Sequence, residues 1–297
     1  MMMDWLETFP SLSSDTLSAM RRFIDGAFRG VTREYGEAME NFFEPLRQFL
    51  LFSERLLTQT PWPVVMGAMA LVVWLASRSL KIVVGTVFTL CAIGVLGMWD
   101  ATMQTISMIF VCTVVAIALG LPLGILMSRS ERMQRVVNPT LDVMQTMPSF
   151  VYLIPVVMLL GIGRVPGLIA VVIYAIPPVI RFTNLGIRLV DKDLLEAADA
   201  FGASAWQTMR KVQLPLALPT IMAGINQTIM LSLSMVVIAS MIGVQGLGQP
   251  VLKAITNQYF TMGLLNGTAI VGIAIVFDRV SQAYGKRLQK HLEVQHG

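Results

Sequence analysis

The stretch RLVDKDLLEAADAFGASAWQTMRKVQLP, residues 188–215, carries the most specific spacing in this sequence. It is polar and basic and lies between two long apolar segments. Asp193, followed three residues later by Glu196, has the pattern of a capping box opening a short helix over 194–200. Gly202 falls where a left-handed C-cap belongs. Ser204 with Gln207 repeats the capping pattern for a second helix over 205–212, and Pro215 marks the return to apolar sequence. The expected product is two short helices at an angle, joined at a glycine. By themselves these signals fit any polar loop built from amphipathic helices.

Bond-making chemistry finds no comparable support. No nucleophile–base–acid set and no metal-ligand spacing occurs. Cys91 and Cys112 sit inside apolar runs, where a free thiol packs as a small hydrophobe. His291 and His296 lie in a polar tail, and nothing pairs with them. A phosphate-binding G-x-x-x-x-G-K-[ST] loop is absent: Gly285-Lys286 is followed by Arg287 and has no glycine at the required spacing. The chain is therefore expected to be non-catalytic, with no cofactor of its own, and any ATP and magnesium would belong to a partner.

The elements that hold the loop are read from composition. Of 297 residues, 55% are hydrophobic and 13% charged, about half the charged share of a soluble domain. Apolar segments of spanning length cover approximately 62–78, 81–98, 101–127, 142–162, 166–187, 215–242 and 264–284. The expectation is an all-α integral membrane protein with seven spans, six if the first two segments form one span and a re-entrant piece. Pro177-Pro178 is expected to kink or end its helix. Arg78, Lys81, Arg129, Arg132, Arg135, Arg181, Arg188, Lys192, Arg210, Lys211, Arg279, Lys286, Arg287 and Lys290 fall on one side. Beyond the N-terminal segment, the other side has only Arg164 and Lys253. The positive-inside rule makes the basic side cytoplasmic, with the C-terminus inside and the N-terminus outside. Nucleic-acid binding is not the reading for this charge.

Residues 1–61 carry nine acidic and six basic residues. Asp4 and Glu7 stand where a cleavable signal would need basic residues, so none is expected. Leu17, Met20, Ile24, Ala27, Phe28 and Val31 share one helical face. Met39, Phe42, Phe43, Leu46, Phe49 and Leu50 repeat the pattern, with a break expected at Pro45. Such a helix lies in the membrane interface or docks on the outer face of the rest of the chain or on a partner.

The loop resembles the EAA motif of ABC importer permeases: Glu-Ala-Ala, three residues, Gly, nine residues, an aliphatic residue, any residue, Leu-Pro. Glu196, Ala197, Ala198, Gly202, Val212, Leu214 and Pro215 match it without departure. The resemblance implies that the helix pair seats in a cleft of a separate ATP-binding subunit and transmits its closure to the spans. The residue types suit that task. Ala197 and Ala198 permit close approach, and Gly202 turns without a Cβ penalty. Glu196 adds charge at a helix start or pairs with a partner base. Trp206 and Met209 offer apolar anchors.

Strings across 99–285, including DVMQTMPSFVYLIPVVMLLGIGRVPG (142–167) and IPPVIRFTNLGIR (176–188), look like the glycine betaine/proline betaine permeases of the osmoprotectant group, with choline permeases as relatives. This implies a type I ABC importer transmembrane domain over 99–285. A periplasmic tail (1–61) and two peripheral spans (62–98) precede it, and a cytoplasmic tail (286–297) follows. It also implies a bacterial inner-membrane homodimer, two ATP-binding subunits and an extracytoplasmic substrate-binding protein. Carnitine, trimethylamine N-oxide or an amino acid are alternative cargoes.

Aromatic faces attract quaternary ammonium groups, so Phe150, Tyr152 and Tyr174, with Met147 and Met235, are pathway candidates; helix packing is the competing role. Asp142 and Gln145, and Asp278 with Arg279, stand at span ends, where local pairing competes with function. A stand-alone secondary transporter would show inverted repeats and charged midplane residues, and neither occurs.

Overall fold

The computed structural model describes residues 12–296, and every regular element among them is helical. Asp4 and Glu7, and the side chains of Lys290, His291 and His296, lie outside the described residues. The helices are α1 (Ser14–Thr58), α2 (Trp62–Ser77), α3 (Leu80–Val95), α4 (Trp99–Arg129), α5 (Glu131–Thr146), α6 (Leu153–Leu160), α7 (Arg164–Arg188), α8 (Lys192–Ala200), α9 (Ala205–Thr208), α10 (Leu214–Ala239), α11 (Gly248–Asn257) and α12 (Phe260–His296). A 3-10 turn at Ser149–Tyr152 precedes α6, and another at Ser240–Ile242 follows α10.

Among the described residues, four stretches are long and apolar enough to cross a membrane: Trp99–Arg129, Arg164–Arg188, Ala205–Ile242 and Phe260–Leu288. Six result if each of two bent pairs is one span. The expected seven do not all emerge as separate rods. The window 142–162 straddles a 111° bend, where Met147 is extended before Pro148. The 16 residues of α2 and of α3 give rods about 24 Å long, short of a hydrocarbon core of about 30 Å.

The centre of the bundle is α7, packed between α4 and α10. Small residues set that spacing, as expected where lipid tails supply no drive toward association. A Cβ at Gly124 of α4 would lie 2.6 Å from Thr183 Cβ and 2.8 Å from the Ile180 carbonyl of α7. A Cβ at Gly224 of α10 would lie 2.6 Å from Phe182 Cβ. This enclosure explains why Pro177 and Pro178, both buried, do not end α7. Neighbouring helices hold the rod on both sides and outweigh the local proline penalty.

Pro45 likewise does not break α1, which runs unbroken through it. The second half of α1 docks on the bundle: Leu50 is 2% exposed and packs in the main core with Ile109 and Val171. Phe23 and Ile24, in the first half, stay exposed.

Candidate functional site

The helix pair expected over 188–215 is present, hinged where the sequence places the hinge. Gly202 has φ +73°, the left-handed region that a side chain disfavours. Around it the Gly202 N–H donates to the Asp199 carbonyl at 2.9 Å and the Ala203 N–H to the Ala198 carbonyl at 3.0 Å, closing α8. Ser204 and Gln207 form the expected reciprocal cap: the Ser204 N–H donates to Gln207 Oε1 at 2.8 Å, and the Gln207 N–H to Ser204 Oγ at 3.4 Å. Both signals are local, and both survive folding.

Two local details differ from expectation. Asp191, not Asp193, caps α8: its Oδ1 accepts from the Asp193 N–H at 3.1 Å, and the helix starts at Lys192. Asp191 sits in extended backbone, the conformation an N-cap needs. The second helix does not stop at 212. Residues Met209–Gln213 form a π turn, in which the Leu214 N–H reaches back to the Met209 carbonyl, and α10 follows directly. Pro215 is the second residue of α10, directly after the π turn, so its missing N–H falls where the helical hydrogen-bond register changes.

No residue of α8 is buried. Glu196 and Ala197 are exposed, Ala198 half-buried, Phe201 93% exposed and Trp206 62% exposed. Leu214 and Pro215 are half-buried at the root of α10. Met209 departs from its expected role as an exposed anchor. It is 1% exposed and packs with Ile187, Ala217 and Ile221. Because α9, the π turn and α10 form one rod, Met209 lies on the face that continues through Ala217 and Ile221.

Charged side chains fix this root, and sequence reasoning missed their roles. Arg188 donates from Nε to Asn184 Oδ1 at 3.1 Å, from Nη1 to Glu131 Oε1 at 2.6 Å and from Nη2 to the Met127 carbonyl at 3.1 Å. One guanidinium thereby joins α4, α5 and α7 immediately before the loop. Its hydrogen bond, assisted by its charge, holds the Glu131 carboxyl below its ordinary value. Arg129 donates to the Ala205 carbonyl at 3.3 Å, tying α4 to α9. Read along the chain, these bases announce only a charge bias.

The pathway candidates are brought together in part. The Tyr152 and Tyr174 rings meet edge-on with centroids 6.0 Å apart, and the Tyr152 hydroxyl donates to the Met144 carbonyl. Tyr152 is buried, and half-buried Tyr174 and Met147 pack against the same core. Met235 is fully buried in that core, whereas Phe150 is 57% exposed. Two of the span-end charges have partners: Asp142 pairs with Arg181, and Asp278 accepts from Asn226 at 3.1 Å and Gln282 at 2.7 Å. Away from the loop, Arg164 pairs with Glu54 of α1 at 2.5 Å and also donates to Gln245. Gln104 donates to both Glu54 and Gln245, at 3.4 and 3.3 Å. Glu54, which the sequence did not single out, thus clamps α1 to α7 and α4. Of the cysteines, Cys112 is buried in the core and Cys91 is exposed.

Long apolar rods thus bear an exposed, glycine-hinged helix pair at one end. The model of the family described as "Binding-protein-dependent transport system inner membrane component" matches residues 116–290, and this chain belongs to that family. The glycine betaine/proline betaine transport system permease protein ProW of Escherichia coli (strain K12) is 43% identical over 293 residues, covering 95% of this chain and 82% of that protein. The protein of the same description from Salmonella typhimurium (strain LT2) is 50% identical over 217 residues, covering 73% of this chain and 61% of that protein. A solved chain of the MetNI methionine ABC transporter, in inward-facing conformations, superposes with a TM-score of 0.57 at 22% identity. That match covers 65% of this chain and 95% of the other and identifies the fold as that of a type I ABC importer permease.

Proposed function

We propose that two copies of this chain form the translocation pathway of an ATP-driven importer for quaternary-ammonium compatible solutes, with glycine betaine and proline betaine as the leading cargoes. The observation that carries the coupling part is the exposed loop itself. A complete motif from Glu196 to Pro215 sits on a positive-φ glycine, and Arg129, Arg188 and Met209 root it in the bundle. A partner that pushed on exposed Ala197 and Trp206 would move a rod whose far end is Ile242. The family description supplies the binding-protein dependence, and the relatives' names supply the cargo.

In this reading two ATP-binding subunits, carrying ATP and magnesium, seat Glu196, Ala197, Ala198, Gly202 and Trp206 in their clefts. An extracytoplasmic protein delivers the solute to the opposite face. Closure of the ATPases shifts the bundle between inward- and outward-open states, each favoured by the ligand that binds it more tightly. The basic loop side faces the cytoplasm of a bacterial cell, and α1 lies outside, clamped by the Glu54–Arg164 pair. Residues 1–61 are then the external tail, 62–98 the peripheral helices, 99–285 the transport domain and 286–297 the internal tail. Phe150, Tyr152, Tyr174, Met147 and Met235 remain the pathway candidates. As packed, Phe150 alone of the five is well exposed, on the surface that a second copy or the solute could meet.

The test is uptake of labelled glycine betaine into proteoliposomes holding the permease, the ATPase and the binding protein. Uptake should require all three and internal ATP. Uptake by the permease alone on an ion gradient would refute the ATP-driven reading, and a binding protein that ignores quaternary ammonium solutes would refute the cargo.

A further inference from the structure

An apolar groove of about 420 Å³ lies between α2, α3 and α12 and is closed at one end by the last turns of α1. Its walls include Val72 and Val73 of α2, Leu90 of α3, and Val276 and Val280 of α12. The hydroxyls of Thr86 and Thr89, the polar groups of its α3 wall, bond back to the Ile82 and Gly85 carbonyls of their own helix at 2.9 and 2.8 Å. The wall thus presents hydrocarbon.

The end of the groove near Val72 and Val280 is basic. Arg287 of α12 donates to the Leu75 carbonyl, within a turn of Val72. Arg78 ends α2 at φ 49°, its guanidinium 4.6 Å from the Trp74 ring centroid. Lys81 follows in the first turn of α3. Among the described residues no carboxylate forms an ion pair with Arg78, Lys81 or Arg287. Asp278, the acid on the preceding turns of α12, is engaged by Asn226 and Gln282. This end lies on the same side as the coupling loop, since Gly285 sits against Met222 of α10.

We infer that the groove is a binding site for an anionic phospholipid, its acyl chain between α2, α3 and α12 and its phosphate at Arg78, Lys81 and Arg287. The volume is within the range of about 300–1,000 Å³ typical of ligand clefts. A free phosphate would leave the hydrocarbon walls unfilled, and a neutral lipid would leave three cations uncompensated. The shared turn of α2 and α3 carries Arg78 and Lys81, and basic residues at the end of an apolar helix meet phosphates at headgroup depth. The site requires only that the chain lie in a bilayer, so its failure would leave the coupling and cargo readings untouched.

The assembled transporter, purified in detergent and re-lipidated with mixed phosphatidylglycerol and phosphatidylcholine, should retain phosphatidylglycerol selectively by native mass spectrometry. Replacing Arg78, Lys81 and Arg287 by Gln should weaken retention about fivefold per base, from roughly 1 kcal/mol for each base near an anionic surface. Lys253→Gln on α11 should change nothing. Val72→Trp, which fills the groove and keeps the bases, should also release the lipid. Inorganic phosphate should not displace it. In the unaltered protein, phosphatidylglycerol with a photoactivatable acyl chain should label α12 near 276–280, a readout independent of any variant's folding. Equal retention of both lipids, displacement by phosphate, an unaffected triple variant, or capture of a second permease copy at 276–280 in place of lipid would each overturn the site.

Discussion

Gly202→Ala isolates what the hinge contributes. A Cβ at this position meets no atom within 4 Å, so the substitution creates no clash inside the chain. Its cost comes from the backbone alone: an L-residue held in the left-handed region loses about 1–2 kcal/mol at φ +73°. The loop is exposed and free to relieve that strain by reorienting α8 against α9. Its population in the docked geometry should therefore fall by a factor of about 5–30. Asn tolerates this region better than Ala, so Gly202→Asn should lose less. Gly202→Asp is nearly isosteric with Asn but adds a charge to the docking surface, so it should lose more than Asn. The assay is solute-stimulated ATP hydrolysis and uptake by the assembled transporter in proteoliposomes, with thermal unfolding of the permease as control. Wild-type coupling in both Ala and Asp variants would refute the hinge argument. Loss of coupling accompanied by a matching loss of permease stability would show that Gly202 serves folding instead.

Met209 and Trp206 should separate packing from docking. Met209→Ala should lower permease stability by about 2–5 kcal/mol, as for a buried large-to-small change. Trp206→Ala should leave stability within about 0.5 kcal/mol while abolishing ATPase stimulation; the reverse pattern would contradict the assignment. Gly124→Ala should destabilise by about 1–3 kcal/mol through overpacking against α7, whereas Gly67→Ala, with open space at its Cβ, should be neutral or stabilising by about 0.5–1 kcal/mol. Fluorescence-monitored melting of the two variants checks this, and equal shifts would refute the close approach of α4 to α7. The Glu131–Arg188 pair contributes while the carboxylate is charged, above its unfolded value near ~4.3. That contribution is lost as pH falls through the lowered folded value. Protection of the 127–131 amides, taken relative to the intrinsic exchange rate at each pH, should therefore fall in acid and with added salt, and Glu131→Gln should remove that part of the pH dependence.

Legibility followed sequence distance. The Ser204–Gln207 cap and the Gly202 turn involve residues three apart or a single dihedral, and both were readable. Assigning the cap to Asp193 failed by two residues because Asp191, also a capping type, reached the extended geometry first. Local propensity reads Pro45 as a break and Pro177-Pro178 as a kink or an end; neither ends its helix, and at the buried Pro177-Pro178 the neighbouring helices hold the rod. The buried face of Met209 was hidden because the reading stopped a helix at 212 that the π turn carries onward. Arg188 meets Glu131 and Met127 across 57 and 61 residues, and Arg164 meets Glu54 across 110. Contacts at such separations leave no local periodicity to read. Hydropathy does not register the 111° turn at Met147–Pro148, so the apolar window 142–162 reads as one straight rod where the backbone bends.

Cross-linking from Phe201 tests coupling most directly, since that side chain is 93% exposed beside the hinge. In a Cys91→Ser background, which removes the exposed native thiol, Phe201→Cys should cross-link to the ATP-binding subunit in inside-out membrane vesicles, with a yield that changes when ATP is added. Labelling of that thiol by an impermeant reagent applied to intact cells, with no ATPase adduct formed, would contradict the account.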